Sequence, residues 1–262
     1  MPQLLDTNAP ALQRTVDDGV GLLRLNRPAA RNALNSALVD DLDHHLAELD
    51  DDAAVRAVVL AGAAPGFCAG SDVRELAGMS VTEMARHEAR TAQMVRSIQQ
   101  LGTPVVAAVE GFALGGGYLL ALGCDIVVTA ADARWHLPEV ALGWVPPWGL
   151  QTLVSRGGPS VARRLAWGDQ AMSGDDVFGL GVVDEVAEPG HALDVATAIA
   201  QRLAALPPEA VVSTKRALAS TTLSDAESLD ARTNWMFAQN CETERARASL
   251  DRFVRKPAKE TR

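Results

Sequence analysis

The stretch GFALGGGYLLALGCDIVV, Gly111 to Val128, narrows the folds open to this chain more than any other. Three consecutive glycines stand inside an apolar segment that runs from Pro104 to Ala130. That segment has the length of a membrane span, yet it begins at a proline and holds Glu110, Asp125 and five glycines. Two short strands flanking a glycine turn and a buried helix fit these residues better than a lipid-exposed helix does.

The same pattern recurs upstream. VGLLRLNRP (20–28) reads as a strand halted by proline, and SALVDDLDHHLAELDDD (36–52) has helical apolar spacing with Ser36 expected as its N-cap. VRAVVLAG (55–62) is a β-branched run ending in glycine, as in a buried parallel strand. The loop AAPGFCAGSDVREL follows, then a polar helix over about 80–100, then the strand PVVAAVEG. Strand–helix–strand alternation implies parallel strands joined by crossover helices, an α/β class. From about 159 the text is mostly helical, with a firm break at Pro207–Pro208. The expected division is a β/α core over 1–190 and a helical portion over 191–262 that is not an independent domain. No internal repeat or low-complexity segment interrupts it.

Composition excludes several functions. Of 262 residues, 48% are hydrophobic and 22% charged, a globular balance. The formal net charge of −9 speaks against nucleic acid or an anionic membrane as partner. One local exception is the last 18 residues, with seven Lys/Arg against two acids, which could meet a phosphorylated ligand. Cys68, Cys124 and Cys241 form no CxxC pair, so neither a metal site nor a disulfide framework is expected. The N-terminus shows no basic region leading into an apolar core, so the expected location is cytoplasmic.

The glycines then need a purpose. GFALGGG lacks the GK[ST] ending of a phosphate-binding loop, and GGGYLLALG lacks the dinucleotide spacing. What remains is a strand, a turn free of side chains, and a helix N-terminus with unpaired N–H groups. Such a turn suits negative charge developing on a carbonyl oxygen; tight helix–sheet packing is the alternative. GFCAGSD (66–72) is a second strand-to-loop transition. Together the two turns could aim two N–H groups at one oxygen.

LNRPAARNALN, GFCAGSDVREL, PVVAAVEGFALGGG, ARWHLPEVALGWVP and SGDDVFGLGVVDEV occur in this order along nearly the whole chain. On these motifs the sequence resembles the crotonase (enoyl-CoA hydratase/isomerase) superfamily. The resemblance implies a crotonase-like (ClpP/crotonase) spiral of ββα units, a homotrimer or homohexamer, and an acyl-CoA thioester as substrate. Coenzyme A would arrive as part of that substrate, with no separate cofactor and no metal. It also implies an oxyanion hole formed by the backbone N–H groups of Ser71 and Gly116. Arg31 and Arg74 match positions where relatives set cations against the nucleotide phosphates, and an arginine fork suits phosphate oxygens. Phe253 and Lys256 match, more loosely, a C-terminal segment that covers the nucleotide in some relatives.

Glu139 matches the second of the two glutamates that hydratases use, and Leu119 stands where the first belongs. Adding water across a conjugated double bond benefits from two carboxylates, one as base and one as acid. A single carboxylate suffices to carry a proton from C2 to C4 of the same substrate. The reading favoured by Leu119 is therefore double-bond isomerisation with Glu139 as base. The alternatives are a hydratase with a different second acid, and a non-catalytic acyl-CoA binder. Glu75 is a candidate for that second carboxylate; Asp72, Asp125 and His136 read as structural. Ser71 sits in no GxSxG motif, which leaves its backbone as the useful group. Trp144 and Trp148 are expected to wall the acyl pocket, Pro147–Trp148 replacing a glycine pair common in relatives.

Overall fold

A reversal at Asp18–Gly19, both at positive φ, opens the computed structural model, which describes residues 10–255. That conformation suits a two-residue hairpin, and β1 (Leu12–Asp17) pairs antiparallel with β2 (Val20–Leu25). β1 has no counterpart in the sequence reading. After one 3-10 turn at Pro28–Ala30, α1 (Ser36–Asp51) begins one residue earlier in its cap than expected. Asn35 is the N-cap, its side chain accepting the Leu38 N–H at 3.1 Å. Ser36 is already helical and its hydroxyl meets His87 Nδ1 at 3.2 Å instead. Leu38, Leu42, Leu46 and Leu49 lie on one buried face of α1 and each stabilises by about 1.5–3 kcal/mol.

The chain continues through β3 (Ala57–Gly62), the short α2 (Val73–Leu76) and α3 (Val81–Gln100). A Ser80–Glu83 capping box starts α3. Then come β4 (Val105–Val109), β5 (Phe112–Leu114), α4 (Gly116–Gly123), β6 (Ile126–Ala130), β7 (Arg134–His136) and α5 (Glu139–Leu142). The remainder is α6 (Leu150–Trp167), α7 (Gly174–Gly179), β8 (Glu185–Ala187), α8 (Ala192–Ala204), α9 (Pro208–Leu223), α10 (Ala226–Cys241) and α11 (Glu244–Arg255).

The main sheet has the order β1-β2-β3-β4-β6-β8, parallel throughout except for the first pair. β5 and β7 form a second, small parallel sheet, and Cys68 bridges to Ala113 at its edge. Three times, then, the chain passes from the main sheet to the small layer and on to helix: β3–Cys68–α2, β4–β5–α4, β6–β7–α5. This is the expected spiral of ββα units. All eight residues of α4 are buried, which explains an apolar run with no polar face. On the opposite side of the sheet, Ala192, Ala196, Ile199 and Ala200 of α8 share a core with Val59, Val106 and Val128. The segment after 190 is thus packed into the same body. Among the described residues no helix is long and apolar enough to cross a membrane.

Candidate active site

The glycine turn is shaped by what presses on it. A Cβ at Gly115 (φ 51°) would lie 2.8 Å from Glu139 Oε1, and one at Gly117 would lie 2.3 Å from the Cys68 carbonyl oxygen. Neither position has room for a side chain. The second turn touches the first: a Cβ at Gly70 would stand 2.9 Å from Gly116 N, and one at Gly116 would stand 3.5 Å from Ser71 N. The Ser71 and Gly116 N–H groups are thereby brought to one place. Neither donates a backbone hydrogen bond among the described residues, and Gly116, as the first residue of α4, has no partner within its helix. Two free donors converging beside a buried helix N-terminus can hold an oxyanion.

Glu139 opens α5 directly against this turn. Its side chain is buried, and its Oε2 has no hydrogen-bond partner. Burial pushes its pKa from 4.5 up to about 8, Glu88 adds to the rise, and its own backbone N–H opposes it. The carboxyl is therefore protonated at neutral pH and loses its proton just above it. Both states lie within reach, as a proton carrier requires.

A cavity of about 70 Å³ joins these groups, bordered by Ser71, Gly116, Leu119, Glu139, Trp144, Trp148 and Glu88. Leu119 is buried, and a Cβ at Gly149 would lie 3.0 Å from its Cδ1. Trp144 meets Phe237 edge-on at 6.2 Å between ring centroids. Trp148 donates its indole N–H to Glu88 Oε2 at 2.7 Å.

Glu88 is the residue that sequence reasoning missed. The signal was available, because Met84, Glu88, Thr91, Val95 and Ile98 follow helical spacing and all are buried on one face of α3. An acid at such a position needs a reason to be there. Glu75, expected as a possible second carboxylate, does not border the cavity. Its Oε2 accepts the Ser36 N–H at 3.0 Å, so helix α1 holds it away.

The other expected residues are spread around the site. Arg31 and Arg74 are exposed and do not border the cavity; the Arg31 guanidinium lies over the Phe112 ring at 4.3 Å. Asp72 caps α2 through the Arg74 N–H at 3.2 Å and pairs with Arg27 at 2.9 Å. His136 Nε2 bonds the Gly168 carbonyl at 2.9 Å. Asp125 Oδ2 accepts from the Val105 N–H and from Lys215 Nζ, each at 2.7 Å. Phe253 is half-buried on α11, and Lys256 lies outside the described residues. Among the described residues no cluster of three or more His, Cys, Asp or Glu is placed to hold a metal ion.

Known proteins are similar to this chain in sequence and fold. The model of a family described as enoyl-CoA hydratase/isomerase matches residues 15–260. A short-chain-enoyl-CoA hydratase of Clostridium acetobutylicum is 34% identical over 239 residues, covering 90% of this chain and 92% of that one. A 2,3-dehydroadipyl-CoA hydratase of Escherichia coli is 36% identical over 198 residues, 75% of this chain and 77% of its own. The crystal structure of an enoyl-CoA hydratase/isomerase from Mycobacterium paratuberculosis superposes with a TM-score of 0.85 at 28% identity, covering 94% of this chain and 99% of that one.

Proposed function

This chain belongs to the enoyl-CoA hydratase/isomerase family and has its crotonase fold, and from that premise we propose that it adds water to the double bond of a 2-enoyl-CoA. The observation that carries the reading is the buried carboxyl of Glu139, its Oε2 without a hydrogen-bond partner, beside the Ser71 and Gly116 N–H pair. The names of the similar curated proteins, hydratases by description, support hydration as the net reaction.

The chemistry follows from charge. As the oxygen of water attacks C3, the π electrons move toward the thioester carbonyl, and its oxygen becomes negative. The two N–H groups stabilise that oxygen, a contribution of about 10²–10³ in rate for each donor. Glu139, protonated at neutral pH by burial, donates its proton to C2 and completes the product. Arg31, Arg74 and the basic C-terminal segment supply cations for the nucleotide phosphates of coenzyme A, which enters as part of the substrate. The proposed reaction calls for no further cofactor.

A second reading is double-bond isomerisation, favoured by one observation: Leu119, apolar and buried, stands where a second carboxylate would be placed. The absorbance of the conjugated thioester separates the two. Hydration of crotonyl-CoA removes it, isomerisation of 3-butenoyl-CoA creates it, and a silent binder does neither. Glu139→Gln should lower the hydration rate at least about a hundredfold, the lower end for losing general acid–base catalysis. Rapid isomerisation without hydration would overturn the first reading in favour of the second.

A further inference from the structure

We propose that Glu88 is a second catalytic carboxylate of this site, holding the attacking water and accepting its proton in place of the side chain that Leu119 lacks. The inference rests on the hydration reading above. With Glu139 donating to C2, the incoming water must lose a proton to some other group. The acceptor must border the cavity, be anchored, and keep an oxygen directed at the water.

Glu88 meets these requirements. It is buried, borders the same cavity as Glu139, and lies near enough for its charge to act on the Glu139 carboxyl. Among the described residues its one side-chain hydrogen bond is that of Oε2 with Trp148. A carboxylate has capacity for several donors, and one indole N–H leaves most of that capacity to a molecule in the cavity.

Trp148 also fixes where this carboxylate stands. A Cβ at Gly116 would lie 3.1 Å from Trp148 Cζ2, and Cζ2 is two bonds from Nε1 on the indole. One edge of the ring therefore runs from the oxyanion turn to Glu88. The backbone on either side of Trp148 is tied to α10, where Asp230 accepts the Gly149 N–H and Thr233 donates to the Pro147 carbonyl, each at 2.9 Å. The same tryptophan thus carries the donor for a carboxylate arriving from α3.

The step balances. The C3–O bond forms from water while the C2–C3 π pair shifts to the thioester, Glu88 takes the proton that water loses, and the Glu139 carboxyl releases its proton to C2. Exchange with solvent then returns Glu88 and Glu139 to their starting states.

Two reactions test the assignment, because only one needs water as nucleophile. Exchange of the C2 hydrogens of butyryl-CoA in D2O requires Glu139 alone; hydration of crotonyl-CoA requires both groups. Glu88→Gln should lower kcat for hydration at least about a hundredfold while C2 exchange stays within a few-fold of wild type. Glu88→Asp, which keeps a carboxylate, should recover part of the lost kcat. Hydration unimpaired in Glu88→Gln, or hydration and exchange falling together in both variants, would reduce Glu88 to an acceptor for Trp148 and overturn the proposal. Wild-type protein that exchanges C2 hydrogens but never hydrates crotonyl-CoA would instead defeat the hydration reading.

Discussion

Replacing Glu139 with Gln keeps the shape of the side chain and removes its charge, so its effect on stability should depend on pH. In the folded protein this carboxyl titrates near 8 because burial penalises the charged form, against 4.5 when solvated. Between those values the native state retains a proton that the unfolded chain has released. The contribution of the wild-type group is therefore fully present below pH 4.5 and is lost as pH rises through about 8. At about 1.4 kcal/mol per pH unit, the loss across the window comes to roughly 3–5 kcal/mol. Glu139→Gln has no such loss. Urea unfolding from pH 4 to 9 should show the variant gaining on wild type steadily through this window and levelling off above it, with equal m-values. A constant offset at every pH would refute the burial argument, and with it the idea of a proton carrier tuned by desolvation.

Moving the second carboxylate should be possible. Leu119→Glu added to Glu88→Gln is expected to restore hydration at least tenfold over the single variant, at some cost in stability where Leu119 packs on Gly149; no recovery would show that position 119 does not face the water. Arg31→Ala and Arg74→Ala should each raise the Kd for coenzyme A, by up to about tenfold at low ionic strength and less at high salt, since both residues are exposed; unchanged affinity in both would place the phosphates elsewhere. Light scattering is expected to show a trimer or hexamer, in keeping with Trp235, Met236 and Leu218 exposed on α9 and α10; a monomer at micromolar concentration would exclude it.

Much of this site was legible in the chain because its parts are local. GGG before an apolar run, GFCAGSD, and a glutamate just after HLP are short stretches whose geometry is set by neighbouring residues. Glycine's tolerance of positive φ and close contact pointed to the turn at Gly115–Gly117, where the structure brings the Ser71 and Gly116 N–H groups together. The small strand β5 was not legible, because three residues carry no periodicity. The shift of the α1 cap from Ser36 to Asn35 reflects a competition that only the tertiary partner His87 decides. Glu88 escaped for a similar reason: its position on the buried face of α3 is local, but its place beside Glu139 depends on Trp148, which lies in a different loop. Leu119 read in the sequence favours a single-carboxylate site; the structure brings Glu88 to the same cavity from a different element.

As proposed, Glu139 moves the proton at C2 of an acyl-CoA whose carbonyl oxygen rests on the Ser71 and Gly116 N–H groups. Mass-spectrometric exchange of the C2 hydrogens of butyryl-CoA in D2O tests it without reference to the net reaction. The wild-type protein should show exchange that rises with pH toward about 8, as the carboxyl ionises, and that falls at least about a hundredfold in Glu139→Gln. Exchange in Glu139→Gln equal to wild type, or none in wild type above buffer alone, would contradict it.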